Sequence, residues 1–205
     1  MNENHQITEL LDRAAQHDSS AVGQLMMLHR VRVRKMLSVR MSNDLATRVD
    51  PSDVVQETMM EATRLLPEYL SHRRICFYPW LRELAIRRLI QLHRRHVLAA
   101  KRSIKREVTQ PAWLPDESKV ELAGRLIHSG TSPSGYMEQQ ELLQEVKNAL
   151  QELPESEREI LVLKYLEELT AQEIAEVLGT TERTVWRRHS RAIERIGLIL
   201  KKDAQ

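Results

Sequence analysis

The segment TAQEIAEVLGTTERTVWRRHSRAIERI, residues 170–196, reads as a helix, a tight turn and a second helix. Thr170 stands three residues before Glu173. At that spacing the Thr side chain accepts from the N–H of the third helical residue, while the Glu carboxylate accepts from the Thr N–H. A helix therefore starts at Thr170. Ile174, Ala175, Val177 and Leu178 give it an apolar face. Gly179 falls where the helix must end in a left-handed residue, a conformation that glycine adopts at little steric cost. Thr180 or Thr181 can cap the helix that follows, in which Val185, Ala192, Ile193 and Ile196 recur near helical spacing. Its other faces carry Arg183, Arg187, Arg188, Arg191 and Arg195. One side packs and the other is cationic, which is how a helix-turn-helix offers long donors to a DNA major groove. Taken alone, the segment also admits an ordinary helical hairpin with a solvated arginine face.

The chain around it has 205 residues, 41% of them apolar, and few Gly or Pro, enough for one large or two small buried cores. The net charge of +2 conceals strong segregation. Residues 80–106 hold nine Lys or Arg against Glu83, whereas residues 138–176 hold eleven Glu against Lys147, Arg158 and Lys164. Segregation of this kind suits an anionic partner on one surface and a basic one elsewhere. Cys76 is the single cysteine, which excludes an intrachain disulfide and fits a reducing cytoplasm. The amino terminus is polar and no apolar run approaches the length of a span, so neither a signal peptide nor a membrane helix is expected.

Ile7, Leu10, Leu11 and Ala14 predict an amphipathic helix over about Gln6–His17, and Leu25, Leu28, Met36 and Val39 a second from Ser20 to about Met41. A polar loop follows from Ser42 to Val49. Asp50 then caps a helix whose first turn holds Pro51, where the missing N–H costs nothing, and which reaches about Leu66. Asp53, Gln56, Glu57 and Met60 form its exposed, mildly acidic face. Tyr69 to Cys76 reads as a loop carrying His72, Arg73 and Arg74, followed at once by Phe77, Tyr78 and Trp80. Aromatics interleaved with arginines suit the stacking of unpaired bases beside neutralised phosphates. Trp80 also opens the apolar stripe Leu81, Leu84, Leu89 and Leu92, which favours a packed role for it, while Phe77 and Tyr78 remain open to stacking. Arg82, Arg87, Arg88, Arg94, Arg95, Lys101, Arg102, Lys105 and Arg106 run along this helix and past its end. Such density repels itself unless an anion is near, and nucleic acid is the economical one.

Periodicity fails from Glu107, and Pro111, Pro115, Gly130, Pro133 and Gly135 accumulate, marking a linker in which Val120, Leu122, Leu126 and Ile127 can form a short docked helix. Beyond it, Leu142, Leu143, Val146, Leu150 and Leu153 predict one helix and residues 155–166 the next. No stretch alternates apolar and polar residues, so the fold is expected to be all-α: a domain over 1–106, a linker over 107–136 and a helix-turn-helix domain over 137–205.

With both halves placed, the chain resembles an RNA polymerase sigma factor of the sigma-70 family, of the two-domain extracytoplasmic-function (ECF) type. The resemblance rests on DPSDVVQETMMEATRLL at 50–66, FYPWLRELAIRRLIQLHRR at 77–95 and LPESEREILVLKYLEELTAQEIAEVLGTTERTVWRRHSRAIERI at 153–196. It implies a region 2-like domain that binds core polymerase through Asp53, Gln56, Glu57 and Met60. It further implies that His72, Arg73, Arg74, Phe77, Tyr78 and Trp80 hold flipped bases of a −10 element, with Arg87, Arg88, Gln91, Arg94 and Arg95 following its strand. In the region 4-like domain, Thr181, Glu182, Arg183, Thr184, Arg187, Arg188 and Arg191 would read a −35 element, and residues 161–169 would hold the polymerase flap tip. Arg87, Arg88 and Gln91 depart from the Asn and Asp common near these positions in the family, and Ser71 to Arg74 supply neither the usual Phe nor Gly. His189 stands in place of a usual Leu and is expected to pack. Core polymerase and promoter DNA are the implied partners, an anti-sigma factor is a further one, and no cofactor is implied.

Two other readings compete. A self-sufficient repressor or activator would use the same helix-turn-helix with an amino-terminal oligomerisation domain. A nucleic-acid enzyme would need a catalytic constellation, and the nearest approach, His93 with His96, lacks the third and fourth ligands that a zinc site requires. No phosphate-cradling Gly-rich loop or buried acid pair supports catalysis.

Overall fold

A computed structural model of the chain describes residues 3–101, 114–128 and 136–203, and no strand occurs among them. The all-α expectation holds. The chain divides into two compact units, residues 1–111 and 112–205.

The first unit contains α1 (Glu3–Ala15), α2 (Ser19–Arg40), the single turn α3 (Asn43–Ala46), α4 (Pro51–His72) and α5 (Phe77–Lys101). Asp18 starts α2 by accepting from the N–H groups of Ser20 and Ala21, and Arg13 holds its carboxylate at 2.7 Å. These hydrogen bonds lower the Asp18 pKa, the one from Arg13 most. Asp50 does the same for α4, with Ser52 N at 2.7 Å and Pro51 in the first turn. Helices α1, α2, α4 and α5 pack on one another through Leu25, Val33, Met36, Leu37, Val54, Ala62 and Leu81. The helix expected to end near Leu66 continues to His72 with Pro67 inside it. Pro67 removes one ladder hydrogen bond, but Leu66 and Tyr69 on either side are 2% and 8% exposed. Packing of an apolar face sustains a helix better than intrinsic propensity does, so the turn after Pro67 persists. The loop expected over Tyr69–Cys76 is therefore only residues 73–76.

The second unit contains α6 (Asp116–His128), α7 (Tyr136–Glu152), α8 (Glu155–Leu161) continued by a π-helical turn (Val162–Leu166), α9 (Ala171–Val177) and α10 (Glu182–Asp203). Within the stretch read as a linker, α6 buries Leu122, Ala123 and Ile127 and packs against α7 and the π turn. Arg125 fastens it by pairing with Glu168 at 2.8 Å, while Glu121 of the same helix braces the guanidinium at 2.8 Å. Expectations for 102–113 and 129–135, including Arg102, Lys105 and Arg106, lie outside the described residues, as do those for the side chains of His96 and Lys101.

The π turn accommodates an unusual apolar run. Ile160, Leu161, Val162, Leu163 and Leu166 are all fully buried, which a regular helix with one solvated face does not allow. Widening the ladder, with Glu167 N donating to Val162 O at 3.1 Å, turns successive side chains inward among α6, α8, α9 and α10. Leu161, Val162, Leu163, Leu166 and Leu169 are thereby core.

The helix-turn-helix forms as its local chemistry requires. Thr170 and Glu173 make the reciprocal capping box, with Glu173 N donating to Thr170 Oγ1 at 3.2 Å and Thr170 N to Glu173 Oε2 at 2.9 Å. Gly179 takes φ +59°, and Thr180 N donates to Ala175 O at 2.8 Å while Gly179 N donates to Glu176 O at 3.3 Å. This is the paired bond pattern of a Schellman end. Thr181 caps α10 by accepting from Thr184 N at 3.3 Å. Val185, Ala192 and Ile196 face the core, whereas Ile193, expected among them, is 40% exposed because it lies to the side of that stripe. Replacing Gly179 with Ala forces a side chain into the left-handed region and is expected to cost about 1 kcal/mol. Thr170→Ala removes the cap and is expected to cost a further ~1 kcal/mol. Chemical unfolding of each full-length variant, followed by far-UV circular dichroism, measures both.

Candidate nucleic-acid interface

In the second unit, α10 displays its cations on the side opposite its apolar stripe. Arg183, Arg187 and Arg191 are exposed and Arg188 is half-buried, with exposed Thr181 and Glu182 and half-buried Thr184 at the entry to the helix. Arg195 serves the fold instead, since its Nε donates to the buried Glu157 at 3.0 Å and so ties α10 to α8. His189 is half-buried and hydrogen-bonded through Nε2 to the Tyr165 hydroxyl at 3.0 Å. Burial, with Lys164 adding to it, lowers the His189 pKa.

In the first unit, Asp53, Gln56, Glu57 and Met60 are exposed on α4, Met60 by 66%. Gln56 and Met60 border a groove of about 600 Å³ shared by α1, α2 and α4, with Val22, Met26, Met59 and Leu70 among its walls. Glu57 is ion-paired with Arg88 of α5. Arg87 pairs with Glu83 one turn before it, and Gln91 lies 3.4 Å from Arg88 Nη1. Arg94 and Arg95 are exposed farther along α5.

The loop and aromatic residues part company. A cleft of about 670 Å³ is lined by Leu65, Tyr69, His72, Arg73, Arg74, Ile75, Trp80 and Arg87, among others. Its floor is ordered by the Tyr69 hydroxyl donating to Ile75 O at 3.0 Å, and Trp80 stacks 4.6 Å from Tyr69. Arg73 ends α4 in the left-handed region at φ 34° and reaches back to α1, pairing with Asp12 at 2.8 Å and donating to Leu11 O. His72 is exposed, with Nδ1 2.9 Å from Ser71 Oγ, and Arg74 is exposed.

Phe77 and Tyr78 do not share this cleft. Each is 2% exposed, which corrects the expectation that their rings are available to bases. Both rings lie against His29 of α2, at centroid distances of 5.1 and 5.8 Å, and the Arg32 guanidinium covers Tyr78 at 3.7 Å. Trp80, half-buried, is the member of the trio that borders the cleft. Tyr69 and Ile75 border it too. Neither is singled out by the sequence pattern, because the spacing there suggests a loop rather than the end of a packed helix.

His29 is fully buried, and neither ring nitrogen has a protein partner among the described residues. Burial, assisted by Arg32, lowers its pKa from 6.5 to about 4.

Residues 143–196 match the family Sigma-70, region 4. RNA polymerase sigma factor FliA of Yersinia enterocolitica is 38% identical over 77 residues, covering 38% of this chain and 34% of that protein. FliA of Escherichia coli K12 is 39% identical over 75 residues, 37% of this chain and 31% of that protein. The matched stretch thus spans about a third of the length of these curated relatives. A solved structure of CnrH in complex with the cytosolic domain of CnrY aligns with 97% of this chain and 99% of that one, at a TM-score of 0.51 and 21% identity, which is a likeness of fold. The helix-turn-helix unit is a sigma-70 region 4 domain. Over this stretch the chain is similar to RNA polymerase sigma factors.

The unpartnered His29 makes a pH signature. Its folded pKa lies below its unfolded value, so its neutral form stabilises the first unit fully above about pH 6.5, and that stability is lost as pH falls toward 4. Between about pH 7 and pH 5 the loss is expected to be about 2 kcal/mol. Urea titrations of wild type and His29→Leu at both pH values measure it, since the variant should lack this part of the loss.

Proposed function

We propose that this protein is a promoter-specificity subunit of the two-domain ECF type, which binds core RNA polymerase and initiates transcription by recognising −10 and −35 elements. The observation that carries the reading is the outward row Arg183, Arg187 and Arg191 on the capped second helix of a sigma-70 region 4 domain. In this reading Thr181, Glu182, Arg183, Thr184, Arg187, Arg188 and Arg191 face the −35 major groove, where arginine forks distinguish guanine and bind phosphates. Asp53, Gln56, Glu57 and Met60 meet the polymerase beside the apolar groove on α4. The cleft bordered by Trp80, His72, Arg73 and Arg74 takes an unpaired −10 base, stacking being available on Trp80. Arg87, Arg88, Gln91, Arg94 and Arg95 follow the strand.

The work done is binding and strand separation rather than bond chemistry, so the protein acts as a non-enzymatic regulator. Among the described residues no helix is long and apolar enough to cross a membrane. The site of action is the cytoplasm, where the polymerase is. CnrH, similar in fold, was solved with the cytosolic domain of CnrY, and an anti-sigma partner is accordingly part of this proposal.

A stand-alone repressor with the same helix-turn-helix separates cleanly in a footprinting experiment. The sigma factor is expected to protect promoter DNA strongly only with core polymerase; equal protection by the chain alone would establish the repressor instead. Within the holoenzyme, Arg187→Ala or Arg191→Ala is expected to weaken −35 binding by about 1 to 3 kcal/mol at one base position if the side chain reads a base, or evenly across sequences if it meets phosphate. Binding titrations against single-base promoter variants distinguish these, and no effect from either substitution would remove the groove assignment.

A further inference from the structure

Trp186 stands out on α10. It is 50% exposed on the cationic side of the helix, whereas indole groups usually bury most of their surface. It precedes Arg187 and lies at helical-neighbour spacing from Arg183 and Ser190, both exposed, so the ring borders the row of arginines rather than the core stripe. Two contacts position it. Lys164, from the π turn, places Nζ 4.6 Å from the ring centroid. The His189 ring meets the indole edge-on at 6.2 Å and 81°. His189 is in turn held by the Tyr165 hydroxyl at 3.0 Å. A large apolar group is thus oriented at the surface by residues from two elements, with an ammonium on it and guanidinium groups alongside.

We infer that Trp186 is a specificity-determining residue of the −35 interface, packing against the C5-methyl of one thymine, and that Lys164 contacts a phosphate beside it. The inference rests on the promoter reading proposed above and names a base within it. The thymine methyl is the apolar group that base pairs offer in the major groove, so an indole edge among arginines has one kind of complementary contact there. Wedging between base steps belongs to proteins that bend DNA from the minor groove, where a major-groove helix does not place its side chains. Excluding water around the ring also strengthens its attraction to Lys164, so the phosphate-bound ammonium and the indole support each other.

The test uses full-length protein reconstituted with core polymerase and a library of duplexes randomised over the −35 region. Wild type should enrich a motif with thymine at one position, and replacing that thymine with uracil, which deletes only the methyl, should weaken binding roughly fourfold. Trp186→Ala should bind the thymine and uracil duplexes equally while retaining the rest of the motif, and Trp186→Phe should restore part of the preference. Lys164→Gln should weaken all duplexes alike and lower the salt slope by about one. Circular dichroism establishes that each variant is folded. A motif enriched by wild type with no methyl dependence at any position, or with the same dependence in Trp186→Ala, would overturn the inference and leave the promoter reading standing. Failure of the wild-type holoenzyme to enrich any motif would remove both.

Discussion

Both cationic helices are held by a narrow apolar stripe, and that constraint decides what each can present. On α5 the stripe is Leu81, Leu84, Ala85 and Leu89; on α10 it is Val185, Ala192 and Ile196. A helix with one buried stripe must put its long charged side chains on the remaining faces, where aliphatic stems lie on the surface and charged heads stay in water. Burying even one of the α10 arginines would require a partner such as Glu157, which Arg195 has. The cations left at each surface are therefore selected by the same packing that folds each unit.

Carboxylates divide the arginines further. Glu57 and Glu83 engage Arg88 and Arg87 on α5, whereas Arg94, Arg95, Arg183, Arg187 and Arg191 form no such ion pair among the described residues. These surface pairs are worth little in stability, typically under about 1 kcal/mol, and are weakened by salt. Their effect is geometric. Arg88, whose side chain is 21% exposed, is held across two helices by a residue of the proposed polymerase-facing surface, so the two proposed contacts of the first unit share an ion pair.

Features determined by near neighbours in the chain were legible in the sequence. The Thr170–Glu173 box, the Gly179 end and the Asp50–Pro51 start each depend on residues within a few positions, and each is formed as spacing predicts. Features determined across the fold were not. Phe77 and Tyr78 are withdrawn from the surface by His29, which lies three helices earlier in the chain, a contact no local pattern contains. The persistence of α4 beyond Pro67 depends on what Leu66 and Tyr69 bury against, and the inward turn of residues 161–163 depends on a π-helical ladder with no sequence code of its own. The arginine row of α10 was legible, but the half-exposed Trp186 beside it needed the position of Lys164 to become distinctive.

In the proposed function this chain redirects core polymerase to promoters defined by two elements. Sequencing the 5′ ends of transcripts made on genomic DNA by core polymerase, with and without the full-length protein, measures that most directly. A set of start sites is expected that appears only with the protein and shares an upstream −35 motif and a −10 motif at constant spacing. Identical start sites in both reactions, or new ones without a shared pair of motifs, would contradict the proposed function.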